Sequence, residues 1–391
     1  MRQHLLLALM LITTINIVGQ TFKLSGSIVD SQSKKPLEYA TISFSNGSTG
    51  TSSNKEGRFV LVVEGSHRGD SIRLTHLGFE TKTILLAEIL DRRSDVILEL
   101  NPMARIIEEI TVNPQSIPDQ LKSAILTTNS QIASNSILDV YYREFAYLDN
   151  DLFKFSDAAI YYRITSTDKK PKVETFVAES RVIKDSVSGD EKWKSDVESL
   201  IDTEKSAKEF SNLNYLLKFV GKNHENYFDY SRDYENGVIK IHVVPKASIK
   251  KYLPSTVVFV DEATNRIHRV DYGYDSHLKY MPAINLLVLK YAVKKDWVTN
   301  IYDTGSQPFL RFSKVTQDID FKIGKKSGLL SSHVEVLITN INLEEDTLND
   351  LSKYKKSSVL KNGNNYKTSF WEESISIIPT AEELKTINFR P

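Results

Sequence analysis

The segment from Leu24 to Leu100 constrains this chain more than any other. It reads LSGSIVDSQSKKPLEYATISFSNGSTGTSSNKEGRFVLVVEGSHRGDSIRLTHLGFETKTILL and closes on VILEL. Apolar and polar residues alternate, and alternation places successive side chains on opposite faces of a strand. Turn-forming clusters break the pattern at Asp30–Pro36, Asn46-Gly47 and Asn54–Gly57, with Gly78-Phe79 before the strand at 82–86. Strands this short and closely spaced bury enough apolar surface only when packed as a sandwich or barrel. Asn46-Gly47 is a hairpin dipeptide, because both residues tolerate the positive φ of a type I′ turn. Gly26, Asn46, Gly47, Asn54, Gly57 and Gly78 are read as the structural turn positions of this module.

The spaced set Gly26-x-Ile28-x-Asp30, Pro36-Leu37 before Ala40-x-Ile42, Gly50-Thr51, Asn54-x-x-Gly57-Arg58-Phe59 and His76-x-Gly78-Phe79 resembles the carboxypeptidase-D regulatory-like domain. The resemblance covers residues 22–100. It implies a transthyretin-like β-sandwich of the kind common in exported Bacteroidota proteins, and it implies no peptidase activity. Asn54 stands where that family usually has Asp, a change that still serves a turn. Glu108–Pro114 resembles the short strand that follows this module in TonB-dependent receptors, but neither plug nor large barrel follows here. Val140–Phe145 and Phe370–Pro379 resemble segments of uncharacterised Bacteroidota proteins that carry the same N-terminal module.

Ahead of the sandwich, Arg2 and His4 precede an apolar run from Leu5 to Val18 and then Gly19-Gln20. This is the pattern of a secretory signal peptide over residues 1–19, and the run is shorter than the roughly 20 residues of a spanning helix. The expected location is the periplasm or the outer membrane's vicinity. The chain of 391 residues holds no cysteine, which excludes disulfides, thiolate chemistry and the lipidated cysteine of a lipoprotein. Lys plus Arg and Asp plus Glu are equal at 50 each, so no net field draws the protein to nucleic acid or to an anionic membrane surface.

Beyond a linker at 101–118, Ser116 with Asp119 and Pro118 predicts a helix near 118–133. Residues 139–342 are mainly strand-like, and 258–274 reads as a hairpin around Asp261–Asn265. Ser195 and Glu198 form a capping box for a helix over 195–222, whose apolar stripe includes Val197, Ile201, Phe210 and Leu217. The fold class is therefore mainly β: the N-terminal sandwich, then a larger antiparallel sheet over 119–391, half-barrel in form and covered by a helix. The polar stretch 344–365 reads as a mobile loop, and Trp371 with Ile375–Pro379 as a segment docking back on the body. A chain ending in Arg390-Pro391 and carrying a helix in mid-domain disfavours a membrane barrel.

Catalytic chemistry leaves little trace. The eight histidines offer neither HEXXH nor HXXE, and His67-Arg68-Gly69-Asp70 is more simply a turn. No nucleophile elbow occurs, and Gly47–Gly50 is hairpin chemistry without the Lys-Ser/Thr of a phosphate loop. Adjacent acids at 108–109, 344–345 and 372–373 would point to opposite faces of a strand. No catalytic residue, metal ligand or cofactor is assigned. The tyrosine clusters are more suggestive, since an aromatic body with a polar tip suits sugar and partner surfaces, although tyrosine also suits any half-buried strand. Tyr227, Tyr230, Tyr272 and Tyr274 are the ligand-face candidates. Ser186 and Thr347, in Asp-Ser/Thr-aliphatic triplets, are O-glycosylation candidates. The resulting expectation is a non-enzymatic envelope protein whose sandwich docks or spaces and whose β-rich domain binds an envelope protein or an apolar ligand. The alternatives are a carrier of lipid or another amphiphile, and a hydrolase of envelope peptide or glycan.

Overall fold

In the computed structural model, the described residues are 21–45, 47, 49–90, 95–103, 115–132, 135–165, 172–184, 212–285, 289–303, 308–341, 343–354, 379–381 and 383–384. Alternation in the first module produces β1 (Thr21–Asp30), β2 (Thr41–Phe44), β3 (Gly50–Ser52), β4 (Arg58–Glu64), β5 (Ser71–Thr75), β6 (Lys82–Leu85) and β7 (Val96–Leu100). They form two sheets, β4-β1-β7 and β3-β2-β5-β6. In β4 the pattern is strict: Phe59, Leu61 and Val63 are buried while Arg58, Val60 and Val62 are half-buried. Phe59, Ile28, Ile42 and Ile72 are fully enclosed between the sheets. Truncating one such side chain removes its burial energy and leaves a cavity, a loss of about 2–5 kcal/mol.

The turn positions divide. Asn54 Oδ1 accepts hydrogen bonds from the amides of Glu56 at 2.9 Å and Arg58 at 3.0 Å, and Gly57 follows at φ 72°. Gly78 at φ 81° receives the Met103 amide on its carbonyl. Gly47, at φ 78°, lies in a 45–49 connection longer than the two-residue hairpin expected; Asn46 is outside the described residues. Gly26 is no turn residue. It sits mid-strand in β1, opposite Phe59 on one side and Val96 on the other, and a Cβ there would collide with the Val96 carbonyl oxygen. The glycine is required by close backbone approach.

The second unit is one large open antiparallel sheet. Its strands are β8 (Asn135–Leu148), β9 (Asp151–Thr165), β10 (Lys172–Lys184), β11 (Phe228–Glu235), β12 (Val238–Pro245), β13 (Ser255–Asp261), β14 (Ile267–Tyr274), β15 (Ala283–Asn285), β16 (Leu289–Asp303), β17 (Phe309–Ile323) and β18 (Lys326–Asn340). The order is β10-β9-β8-β18-β17-β16-β14-β13-β12-β11, with β15 beside β16. Among the described residues β10 and β11 are not paired with each other, so the sheet closes into no barrel. Helix α1 (Ile117–Asn129) starts at Ser116, whose hydroxyl accepts from the Asp119 amide at 3.3 Å.

Two expectations change. Residues 185–211, with the Ser195 capping box, lie outside the described residues, and the described end of the expected 195–222 helix is a 3₁₀ turn at Asn214–Phe219. Asn212 Oδ1 takes the Asn214 amide and Asn129 Oδ1 takes the Leu213 amide, which are side-chain alternatives to helical bonding. The tail from residue 343 to 354 is packed rather than loose. Leu348, 4% exposed, clusters with Ile137 and Phe176, and Lys353 reaches Glu174 at 2.8 Å.

Candidate functional site

Alternation gives the large sheet two faces. One carries Val140 and Tyr142 from β8, Val336 and Ile338 from β18, Val270 and Tyr272 from β14, and Ile241 and Val243 from β12, all in one buried cluster. Leu121 and Ile125 of α1 and Leu216 and Phe219 of the 3₁₀ turn join the same cluster. Helix α1 is pinned at the β13–β14 end: Thr128 Oγ1 accepts the Ile267 amide at 2.9 Å, and Asn265 Nδ2 donates to Ser123 Oγ at 3.0 Å.

Inside this apolar wall lies a polar island. Asn300, fully buried, donates from Nδ2 to the Tyr215 hydroxyl at 3.1 Å and accepts from Ser313 Oγ at 2.7 Å. The Tyr215 and Tyr302 hydroxyls lie 3.2 Å apart. Tyr215 packs on Tyr272 with centroids 5.1 Å apart, and Lys218 Nζ sits 5.1 Å from the Tyr272 ring centroid. A mostly apolar wall with a few fixed hydroxyl and amide groups is the chemistry that orients an amphiphile.

The four tyrosines singled out in the sequence do not converge. Tyr272 belongs to the inner cluster. Tyr230 braces the 3₁₀ turn, its hydroxyl donating to the Phe219 carbonyl at 2.6 Å and lying 2.9 Å from His224 Nδ1. Tyr227 lies beneath Lys251, and Tyr274 donates to the Tyr252 carbonyl at 3.2 Å, so both border the loop after β12. Tyr215, Asn300, Tyr302 and Ser313 escape sequence reading because only strand pairing and the 3₁₀ turn bring them together. His67 Nδ1 and Asp70 Oδ2 are 2.7 Å apart and exposed, and no group of three potential metal ligands occurs among the described residues. Thr347 is exposed in the turn Glu345–Leu348; Ser186 lies outside the described residues.

The opposite face carries the sandwich and an ion network. Tyr39 stacks on Phe312 with centroids 4.7 Å apart. Asp303 accepts from Arg73 at 2.9 Å and from Arg311 at 3.2 Å, and Arg311 also donates to the Gly47 carbonyl at 3.1 Å. Arg311 occupies a register shift in which Ile301 and Tyr302 face Phe312 and Leu310, and such a bulge re-aims a side chain. Nearby, Arg143 meets Glu335 at 2.5 Å and Glu383 at 3.3 Å, and Lys314 meets Glu335 at 2.7 Å. Burial pushes the Glu335 carboxyl up, but Arg143, Lys314 and His333 outweigh it and hold the group well below the ordinary carboxylate range. Thr380 and Glu383 cap one another's amides, and the Ala381 amide donates to Glu56 of the sandwich at 3.1 Å. The cavity at this three-way junction is about 10 Å³, near the volume that admits one water and too small for a larger ligand.

No curated protein matches the chain. Among solved structures, a DUF1329 family protein from Desulfovibrio piger is 14% identical, with 59% of this chain and 93% of that chain covered and a TM-score of 0.26. A LolA superfamily protein from Nitrosomonas europaea is 10% identical, covering 58% and 96% with a TM-score of 0.21. MucB in complex with MucA is 10% identical, covering 59% and 99% with a TM-score of 0.18. Residues 24–112 match the CarboxypepD_reg-like domain, so the family to which the spaced motifs of the first module point is also the one its whole length fits.

Proposed function

We propose that this is an exported, non-enzymatic envelope protein that binds an apolar or amphiphilic ligand against the inner face of its large sheet. The sandwich docks on the opposite face and spaces that site from other envelope components. The observation that carries the reading is the polar island of Tyr215, Asn300, Tyr302 and Ser313 set within an otherwise apolar wall. Hydroxyl and amide groups fixed within an apolar wall are what would orient the one polar group of such a ligand. A carrier of lipid is the form of this reading that the wall's aliphatic chemistry favours. The sequence supports export through its first 19 residues, and Ser186 and Thr347 are proposed as acceptors for O-linked sugar.

Native mass spectrometry of the protein purified from its own periplasm tests the reading. A co-purifying amphiphile is expected, with its occupancy reduced by N300L. Protein that emerges at the polypeptide mass alone and yields no lipid on solvent extraction overturns ligand binding, and the same spectrum without added hexose mass overturns glycosylation.

A further inference from the structure

The formal charge of the chain is zero, yet the topology sorts its lysines. The β12–β13 loop, the β14–β15 loop, the β16 start and the β17–β18 turn all emerge at one end of the large sheet. They bring exposed Lys250, Lys251, Lys279, Lys290, Lys322 and Lys325 to that rim, against Asp275 within the two loops. Each of the first two loops is tied to the strand end beside the other: Tyr274 at the end of β14 donates to the Tyr252 carbonyl at 3.2 Å, and Ser255 Oγ at the start of β13 lies 3.2 Å from His277 Nε2. Lys290 and Lys322 stand directly opposite each other in the β16–β17 ladder, a like-charge pairing that costs the sheet stability. Neighbouring carboxylates are engaged with other lysines, Asp229 with Lys246 at 3.8 Å and Asp320 with Lys294 at 2.8 Å. Asp149 and Asp151 bound the patch at the β8–β9 turn.

The same rim exposes large apolar groups between its lysines. Tyr252 is 53% exposed, Ile284 41% and Val244 40%. Lysine with tyrosine and aliphatic side chains on one surface is the chemistry of the lipid–water interface, where ammonium groups meet phosphates and aromatic rings sit at headgroup depth. A soluble polyanion would pair with the lysines but leave the apolar groups in water. No described helix is long and apolar enough to cross a membrane.

We propose that this rim docks the protein on an anionic phospholipid surface, with Lys250, Lys251 and Lys279 facing lipid phosphates and Tyr252 and Ile284 entering the headgroup layer. The proposal stands whether or not the inner face of the sheet holds a ligand. Sedimentation of the full chain with vesicles tests it. Binding is expected to vesicles of phosphatidylcholine mixed with phosphatidylglycerol, weak or no binding to phosphatidylcholine alone, and progressive release as salt screens the charges. K250E/K251E/K279E should lower the affinity by roughly 100-fold or more, since each basic residue near such a surface contributes about a fivefold factor. The arginine triple at the same positions should retain binding, as should K35E/K122E, which reverses exposed lysines elsewhere. Y252S should weaken binding without changing its salt dependence. Equal binding to neutral vesicles, equal binding by the charge-reversed triple, or binding to heparin but not to vesicles overturns the proposal. Should the triple melt early, the salt titration and the neutral-vesicle comparison on the native chain decide the matter.

Discussion

Arg143 is 2% exposed and lies between two carboxylates, Glu335 from β18 and Glu383 from the C-terminal turn. Removing one partner of such a buried pair leaves a bare charge in a low-dielectric place, which costs about 3–5 kcal/mol, while replacing both with apolar groups of similar volume costs far less. R143M and E335L should therefore each destabilise strongly in chemical denaturation, and the double variant should lose less than the sum of the two, with Glu383 and Lys314 still deprived of these partners. Additive losses would show that the pair is not coupled. The pH dependence has a defined sign. Glu335 and Glu383 both titrate below their ordinary value near 4.5, because basic neighbours outweigh the upward push of burial. Their stabilisation is complete above that value and is lost as pH falls through the depressed ones. Asp157 runs the other way: burial raises it despite Arg181, so its contribution is lost as pH rises through the raised value. E335Q should flatten the acid limb of the stability profile relative to the native chain. None of these pairings was legible in the sequence, because Arg143 and Glu335 are separated by 192 positions and only the β8–β18 register makes them neighbours.

At the scale of elements, legibility followed periodicity. Strands such as β4 and β12 could be read from alternation, and α1 from the spacing of Ser116, Pro118 and Asp119, since each signal is local. Ser116 accepts the Asp119 amide, so S116A should cost about 1 kcal/mol of stability, read as a lowered denaturation midpoint with unchanged slope. A larger loss would mean that the hydroxyl carries more than the cap. Only the end of the helix read over 195–222 is described, and there, beside two asparagines, the chain forms a 3₁₀ turn at Asn214–Phe219. Leu213, Leu217 and Val220 keep a helical stripe, but Asn212 and Asn129 capture the amides that a helix would use. Polarity misled in the tail, where Leu348 provides the buried anchor among exposed acids. The candidate site was the least legible, because Tyr215, Asn300 and Ser313 carry no spacing signal and meet only through tertiary contacts.

For the whole molecule, the joint between sandwich and sheet rests on Asp303, which is 2% exposed and answers both Arg73 of the sandwich and Arg311 of β17. D303N should loosen that joint without unfolding the sandwich. The expected readout is a larger radius of gyration in small-angle scattering and faster cleavage within residues 101–118; an unchanged scattering profile would place the joint's strength in the Tyr39–Phe312 stack instead. The sandwich's own geometry has a mechanical consequence. Its first and last strands, β1 and β7, run parallel and side by side, with five residue pairs from Gly26↔Val96 to Asp30↔Leu100. A pull on the N-terminal end of β1 against the C-terminal end of β7 therefore slides the two strands past each other, loading the ladder's hydrogen bonds together instead of opening them one at a time. The missing side chain of Gly26 is what lets those two strands lie close enough to share such a load.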